Sequence, residues 1–150
     1  MGVRVRGSQI YKGSIDEDRM SPLAIAQEVA LPIVTKEQSV TSDTLSSLIG
    51  RCLWKPSSWN SDLIKSIEVE LEYESAGSGD VDLVRGELMV FTLADLVSPF
   101  FATSHTVIRV DVTDAVKGLT SNDRLMIQAA GDGTNALTVY KATLIVTLST

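Results

Sequence analysis

The sequence has little of the material from which enzyme sites and disulfide-rich folds are built. Its 150 residues include one cysteine and one histidine, and aromatic residues make up only 5%. The single cysteine, Cys52, cannot form an internal disulfide, so nothing indicates an oxidising compartment. Its largely apolar flanks predict a buried structural thiol. Because aromatic residues are scarce, aliphatic side chains must fill most of the core.

Two kinds of long apolar segment are also missing. Residues 1–20 carry charges throughout and lack the apolar stretch of a secretory signal. No apolar run approaches the roughly 20 residues that a membrane helix needs. We therefore expect a soluble protein that is made in the cytoplasm and has no membrane partner.

The charge balance argues against a nucleic-acid partner. The chain has 19 acidic and 13 basic residues and a net charge of −6, whereas a nucleic-acid binder needs a basic face. The first twenty residues are a local exception, because they are more basic than the rest. Their basic residues are Arg4, Arg6, Lys12 and Arg19. No Walker A, dinucleotide-binding, CxxC or HExxH motif is present, so no enzyme or cofactor is indicated.

The N-terminal part of the chain differs from the remainder. Glycines at positions 2, 7 and 13 interrupt every short apolar stretch of residues 1–22, so this segment cannot build a core of its own. Residues 23–31 could form about two helical turns, which Pro32 would end. We predict an extended N-terminal docking arm over residues 1–35.

From residue 36 onward the pattern is that of strands and turns. The clearest strand is Ile64 to Glu74, in which apolar residues alternate with polar ones, mostly glutamates, and therefore share one face. Further strands are predicted at 81–91, with Gly86 as a bulge, and at 104–112, 124–130 and 137–148; a loop is predicted at 76–80 and helical turns at 93–97 and 114–117. With about seven or eight strands and no long helix, we predict an all-β, antiparallel, jelly-roll-like β-sandwich over residues 36–150.

Three stretches resemble proteins of known types. Residues 5–16, VRGSQIYKGSID, look like the G-x-Q-I-x-x-G-[ST]-I arm near the N-terminus of many bacteriophage tail-fibre, head-fibre and appendage proteins. Residues 38–50, QSVTSDTLSSLIG, and 69–80, VELEYESAGSGD, resemble small phage virion β-sandwich proteins. Residues 108–119, IRVDVTDAVKGL, are similar to jelly-roll modules, including carbohydrate-binding ones.

The resemblance implies a bacteriophage virion structural protein of the decoration, head-fibre or tail-appendage type. Such a protein would be a homotrimer in the virion, made in the host cytoplasm, with capsid or tail proteins as its other partners. The absence of a collagen-like or coiled-coil repeat favours a compact capsid decoration, cement or short appendage protein over a long fibre. The side chains expected to dock the arm are Arg4, Arg6, Gln9, Ile10, Tyr11, Lys12, Ile15 and Met20.

His105 and a row of glutamates are the residues that could serve catalysis. Nucleophilic triads usually need a histidine as base, but Ser104 beside His105 would point to the opposite strand face, so we interpret His105 as a structural or surface residue. Glu68, Glu70 and Glu72 share a strand face at spacings of about 6.5–7 Å, which could suit a glycosidase pair. A solvated face that blocks unwanted pairing is the simpler interpretation.

The same glutamate row has a second interpretation as an interface. Glu68, Glu70 and Glu72 could meet a basic partner from another subunit, for which Arg4 and Arg6 are the candidates. Ion pairs between strands of different copies would then help the chain to assemble with itself.

Two further groups carry weaker signals. Asp80–Asp82 and Asp132–Asn135 offer oxygen ligands, but neither segment matches an EF-hand loop, so we predict no metal site. Trp54 and Trp59 bracket a short loop that contains Pro56. Exposed tryptophans stack on sugars, which makes a carbohydrate-binding module the alternative function; packing in the core or against another subunit is the simpler interpretation.

Overall fold

The structure, a computed structural model, describes residues 27–45, 47–86 and 90–149. Besides the 3₁₀ turns Pro56–Ser58 and Ser61–Leu63, they contain seven strands and one short α-helix. They are β1 (Gln27–Val34), β2 (Gln38–Val40), β3 (Ser47–Trp54), β4 (Ile64–Arg85), β5 (Phe91–Asp111), α1 (Thr113–Lys117), β6 (Asp123–Ala130) and β7 (Leu137–Leu148). The helix has five residues, so the described part of the chain contains none that is long enough to cross a membrane.

The two longest strands, β4 and β5, form one antiparallel hairpin that runs through both halves of the fold. Its pairing extends from Glu68 opposite Asp111 to Arg85 opposite Phe91. On its other side, β4 pairs first with β7, as far as Ser75, and then with β6 from Asp80 onward. The change of partner bends the hairpin, so that it contributes to two half-sheets.

These half-sheets face each other and almost close into a barrel. Half-sheet A has the order β5–β4–β7–β1, with β2 also on β7, and half-sheet B has the order β5–β4–β6–β3. At the open side β3 approaches β1 so closely that a β-carbon on Gly50 would clash with the carbonyl oxygen of Ile33. Glycine therefore permits the closure there. The predicted all-β, antiparallel, jelly-roll-like sandwich is confirmed.

The core lies between the half-sheets and is mainly aliphatic, as the scarcity of aromatic residues predicted. Alternate residues of β4 point into it, and β6 and β7 supply most of the opposing side chains. Fully buried members include Ile67, Val69, Leu71, Tyr73, Leu125, Ile127, Val139, Leu144 and Val146. Val112 and Val116, at either end of the first turn of α1, close one end of the core.

Several sequence predictions agree with the strands and helix observed. The strand predicted at 137–148 has the predicted bounds, and the one predicted at 124–130 begins one residue earlier. Strands cover 64–74 and almost all of 104–112, and the helical turn at 114–117 is α1. In these segments the local apolar pattern predicts the same secondary structure as the one that the strand pairing of the whole chain produces.

The predicted helical turns at 23–31 are wrong over the described residues. From Gln27 onward the chain is strand β1, which pairs along β7 with Gln27 opposite Leu148. The backbone groups along that side of β7 need hydrogen-bond partners, and β1 supplies them. Pro32 fits because β1 lies at the edge of its hydrogen-bonded ladder. The sheet therefore begins inside the range 1–35 that the sequence assigned to the arm.

Three further local predictions were overturned by the long hairpin. The predicted loop at 76–80 is a continuous part of β4, and the predicted helical turn at 93–97 is part of β5. The predicted strand at 81–91 is interrupted, because Gly86 has a φ of 101° and ends β4 instead of forming a bulge within it. In the first two cases the cross-strand hydrogen bonds outweigh the local propensity, and in the third the positive φ of Gly86 ends the strand.

Candidate functional site

The outer surface of half-sheet A carries the glutamate row and the histidine that the sequence offered as candidate catalytic or interface residues. Because Ile67, Val69 and Leu71 point into the core, the glutamates between them point outward. We call this surface the acidic face. It consists of Glu28, Glu68, Glu70, Glu72, Glu74, His105, Val107, Arg109, Asp111, Tyr140 and Lys141.

Arg109 binds three of these glutamates at once. It lies directly opposite Glu70 in the β4–β5 register, and its Nε donates to Glu70 Oε2 at 3.1 Å. Its Nη1 is 3.4 Å from Glu68 Oε1 and 3.4 Å from Glu28 Oε2. The hydrogen bond to Glu70, followed by the one to Glu28, raises the pKa of Arg109. The sequence analysis missed this partner because the register of β4 against β5 cannot be read from either strand alone.

His105 and Tyr140 form a second group on the same face. The two rings stack with centroids 4.3 Å apart and planes inclined by 7°. His105 Nε2 is 3.1 Å from Glu72 Oε1, and the Tyr140 hydroxyl donates to Glu74 Oε1 at 2.8 Å. That hydrogen bond, with partial desolvation, raises the pKa of Tyr140. With a side chain 51% exposed, His105 is a surface residue, as predicted.

The two tryptophans lie together at the end of β3. Their rings stack with centroids 5.5 Å apart and planes inclined by 12°. Trp54 is only 1% exposed and belongs to the core, while Trp59 is half-buried against it. Trp54 therefore offers no open ring face to a sugar, and one face of Trp59 is already covered by Trp54. This geometry favours the packing interpretation of the pair.

Half-sheet B carries a separate group of carboxylates, which we call the aspartate cluster: Asp80, Asp82 and Asp95. One oxygen from each lies within 4.8 Å of the others. Asp82 pairs with Asp95 across β4 and β5 and is 8% exposed. Burial, and then the charges of Asp80 and Asp95, raise the pKa of Asp82 to about 6. The pKa of Asp80 is raised in the same way, first by burial and then by Asp95.

Of the two oxygen-rich segments, only the first contributes to the aspartate cluster. Asp80 and Asp82 lie on a strand, not in a loop, and their near neighbour is Asp95. Asp132 is not part of the cluster, because it accepts hydrogen bonds from the amide of Thr134 and from the side chain of Asn135, as a hairpin turn requires. These bonds lower the pKa of Asp132. With one oxygen from each carboxylate, the cluster supplies three ligands, fewer than the six to eight that Ca²⁺ takes.

Cys52 and the predicted docking residues are the remaining residues for which the sequence predicted a role. Cys52 is half-buried, and burial raises its pKa to about 11, so the thiol is protonated at neutral pH. The predicted docking residues lie outside the described part of the chain. They are Arg4, Arg6, Gln9, Ile10, Tyr11, Lys12, Ile15 and Met20.

Comparison with known proteins gives matches to structures only. The sequence matches no protein-family model and no curated protein. The fold is similar to solved structures of infectious bursal disease virus: the Gx strain (10% identity, TM-score 0.48), the VP2 subviral particle (10%, 0.49) and the T13 viral particle (9%, 0.42). Each alignment covers 83% of this chain and 32%, 32% and 35% of the respective matched chain. The chain thus spans about a third of the length of the proteins that it matches.

Proposed function

We propose that the chain is a virion structural protein of the bacteriophage decoration, head-fibre or tail-appendage type. It assembles with copies of itself, as a homotrimer, and docks onto capsid or tail proteins through its N-terminal arm. Its mechanism is binding and not catalysis. Its partners are proteins, with no role for nucleic acid or membrane.

One observation carries this proposal: the first fifteen residues and the sandwich have opposite charge. Residues 1–15 contain Arg4, Arg6 and Lys12 and no acidic residue, so all 19 acidic residues of the chain follow residue 15. The sandwich presents a row of those carboxylates on the open outer surface of half-sheet A. A basic segment beside an acidic sheet is suited to assembly between copies, because complementary charge speeds encounter and sets the register of docking.

The chemistry of the acidic face fits docking better than catalysis. Glu68 and Glu70 are bound to Arg109, and Glu72 to His105, on a sheet surface and not at the bottom of a cleft. A glycosidase needs one carboxylic acid poised to donate a proton. Here Glu68 and Glu70 are both already held in ion pairs with Arg109.

Deletion of residues 1–20 tests the proposal. The truncated chain should keep the circular dichroism spectrum and thermal midpoint of the full chain, because the described core residues all lie between Ile33 and Val146. We expect the full chain to reach three times its 16.2 kDa mass by light scattering, and the truncated chain to remain at lower mass. Equal masses over the same concentration series would overturn the role of the arm.

A further inference from the structure

We propose that the acidic face of one copy is the docking site for the basic segment, residues 1–15, of a neighbouring copy. This inference rests on the proposed assembly function and names the surface that the arm would occupy within it. The face and the segment are matched in charge, in spacing and in position along the chain.

The charge of the face is incompletely balanced by its own residues. Six carboxylates, the five glutamates and Asp111, face two cations, Arg109 and Lys141, which leaves an excess of four negative charges. Arg109 is shared among three of the glutamates, so each receives only part of its charge. The basic segment carries three positive charges and no negative one, so it would neutralise most of that excess.

The spacing of the glutamates on the acidic face also matches the spacing of the arginines in the basic segment. Alternate residues of an extended chain lie about 6.5–7 Å apart, so Glu68, Glu70 and Glu72 form a row with that repeat. Arg4 and Arg6 would have the same repeat if the segment bound in an extended form. A basic segment lying along β4 could then pair successive cations with successive carboxylates.

Val107 gives the face an apolar contact as well as charge. It lies opposite Glu72 and, at 55% exposure, is the most exposed large hydrophobic residue of the described chain. The stacked rings of His105 and Tyr140 lie on the same surface. Ile10 and Tyr11, which lie between the arginines and Lys12, are the apolar residues that would cover this patch.

The described chain begins at the border of the face. Strand β1 starts at Gln27 at the edge of half-sheet A, and the next residue, Glu28, contacts Arg109. Strand β1, which follows the basic segment in the sequence, therefore borders the acidic face. If each copy lends its segment to the next copy, the contact is head-to-tail, and a rotation of one third of a turn between copies closes such contacts into a trimeric ring.

A labelled peptide of residues 1–15 tests the inference directly. We expect it to bind the chain lacking residues 1–20 in a fluorescence anisotropy titration, and to bind more weakly as salt is added. The variant Glu68→Gln/Glu70→Gln/Glu72→Gln should weaken binding by about tenfold, since three exposed ion pairs are lost. The control Asp43→Asn/Asp62→Asn/Asp114→Asn removes the same charge from exposed residues off the face and should bind as the parent does.

The second variant is made in the peptide, so the sandwich is unchanged. The peptide carrying Arg4→Gln/Arg6→Gln/Lys12→Gln should lose binding to the unaltered truncated chain. No binding of the parent peptide, or equal binding to the face variant and its control, would overturn the inference. A full chain that stays monomeric while its own segment blocks the peptide would overturn docking between copies.

The full-length face variant separates this inference from the proposed function. If deletion of residues 1–20 abolishes assembly but the Glu68→Gln/Glu70→Gln/Glu72→Gln chain assembles normally, the arm docks elsewhere. The proposed function then stands and the acidic face is excluded. If neither change affects assembly, both proposals are wrong.

Discussion

Strand β4 carries two rows of outward carboxylates, and the two half-sheets treat them differently. On half-sheet A, Glu68 and Glu70 are partly exposed and paired with Arg109. On half-sheet B, Asp82 is buried and its neighbours are Asp80 and Asp95, which bear the same charge. The first row thus lies opposite a cation, whereas burial and the like charges of its neighbours shift Asp82 toward its protonated form.

This difference implies that the two halves of strand β4 have different roles. The acidic face lies at the surface and is accessible to an electrostatic partner. The aspartate cluster holds protons that its residues would lose if the chain unfolded, so it couples the stability of the sandwich to pH. The largest consequence is therefore expected on half-sheet B.

The pH dependence of stability should be dominated by the aspartate cluster. The pKa of Asp82 is about 6 in the folded chain, against about 3.9 for an unperturbed aspartate. The folded state thus binds the proton more tightly, so this stability is fully present below about pH 4 and is lost as the pH rises through about 6. The loss is about 1–3 kcal/mol, allowing for solvent screening and for coupled titration of the three groups. Urea unfolding from pH 4 to pH 8 measures it.

Replacement of Asp82 shows whether the cluster is the cause. Asp82→Asn should flatten the profile and make the chain more stable than the parent above pH 6, because the amide has no charge to bury. Asp62→Asn, at an exposed position, is the matched control and should leave the profile unchanged. A parent chain whose stability is constant from pH 4 to pH 8 would contradict the assignment.

Loss of Arg109 should have a smaller effect on stability and a clear dependence on salt. Arg109→Gln leaves Glu28, Glu68 and Glu70 facing one another without their shared cation. Exposed ion pairs contribute little individually, so we expect a small drop in the thermal midpoint at low salt. The drop should disappear at about 1 M salt, where charges are screened within about 3 Å. A salt-independent drop would mean that lost packing is responsible.

The same variant should affect docking in the opposite direction. Removing Arg109 increases the excess negative charge of the acidic face, so the basic peptide should bind more tightly to Arg109→Gln than to the parent. Arg85→Gln, which removes a cation on half-sheet B that pairs with Asp123, is the control and should not change binding. Weaker binding to Arg109→Gln would show that this arginine, and not the glutamates, contacts the segment.

The alternation of β4 made its inward and outward residues predictable, but their partners were not. The alternate residues from Ile67 to Tyr73 were correctly placed on the inward face, because a period of two depends only on local sequence. Arg109 and Asp95 both come from β5, and their contacts depend on the register of a 21-residue strand. The prediction of a helical turn at 93–97 also concealed Asp95, because it moved that residue out of the sheet.

The burial of Trp54 and the presence of β1 show the same limit. Trp54 is followed by a loop, which left its exposure undecided until β3 was placed against β6. Residues 27–31 have a composition compatible with a helix, and only the open side of β7 selects a strand. The burial of Trp54 and the strand at β1 both depend on long-range strand pairing, which no local sequence pattern reveals.

Cross-linking between copies tests the central claim, that the basic segment of one copy docks on the acidic face of another. Two chains would be made in a Cys52→Ser background, one with Ile10→Cys and the other with Val107→Cys, then mixed and oxidised. We predict a disulfide-linked dimer of the two chains, and none when Asp62→Cys replaces Val107→Cys. Equal cross-linking to both positions, or none to position 107 in a mixture that has assembled, would contradict the claim.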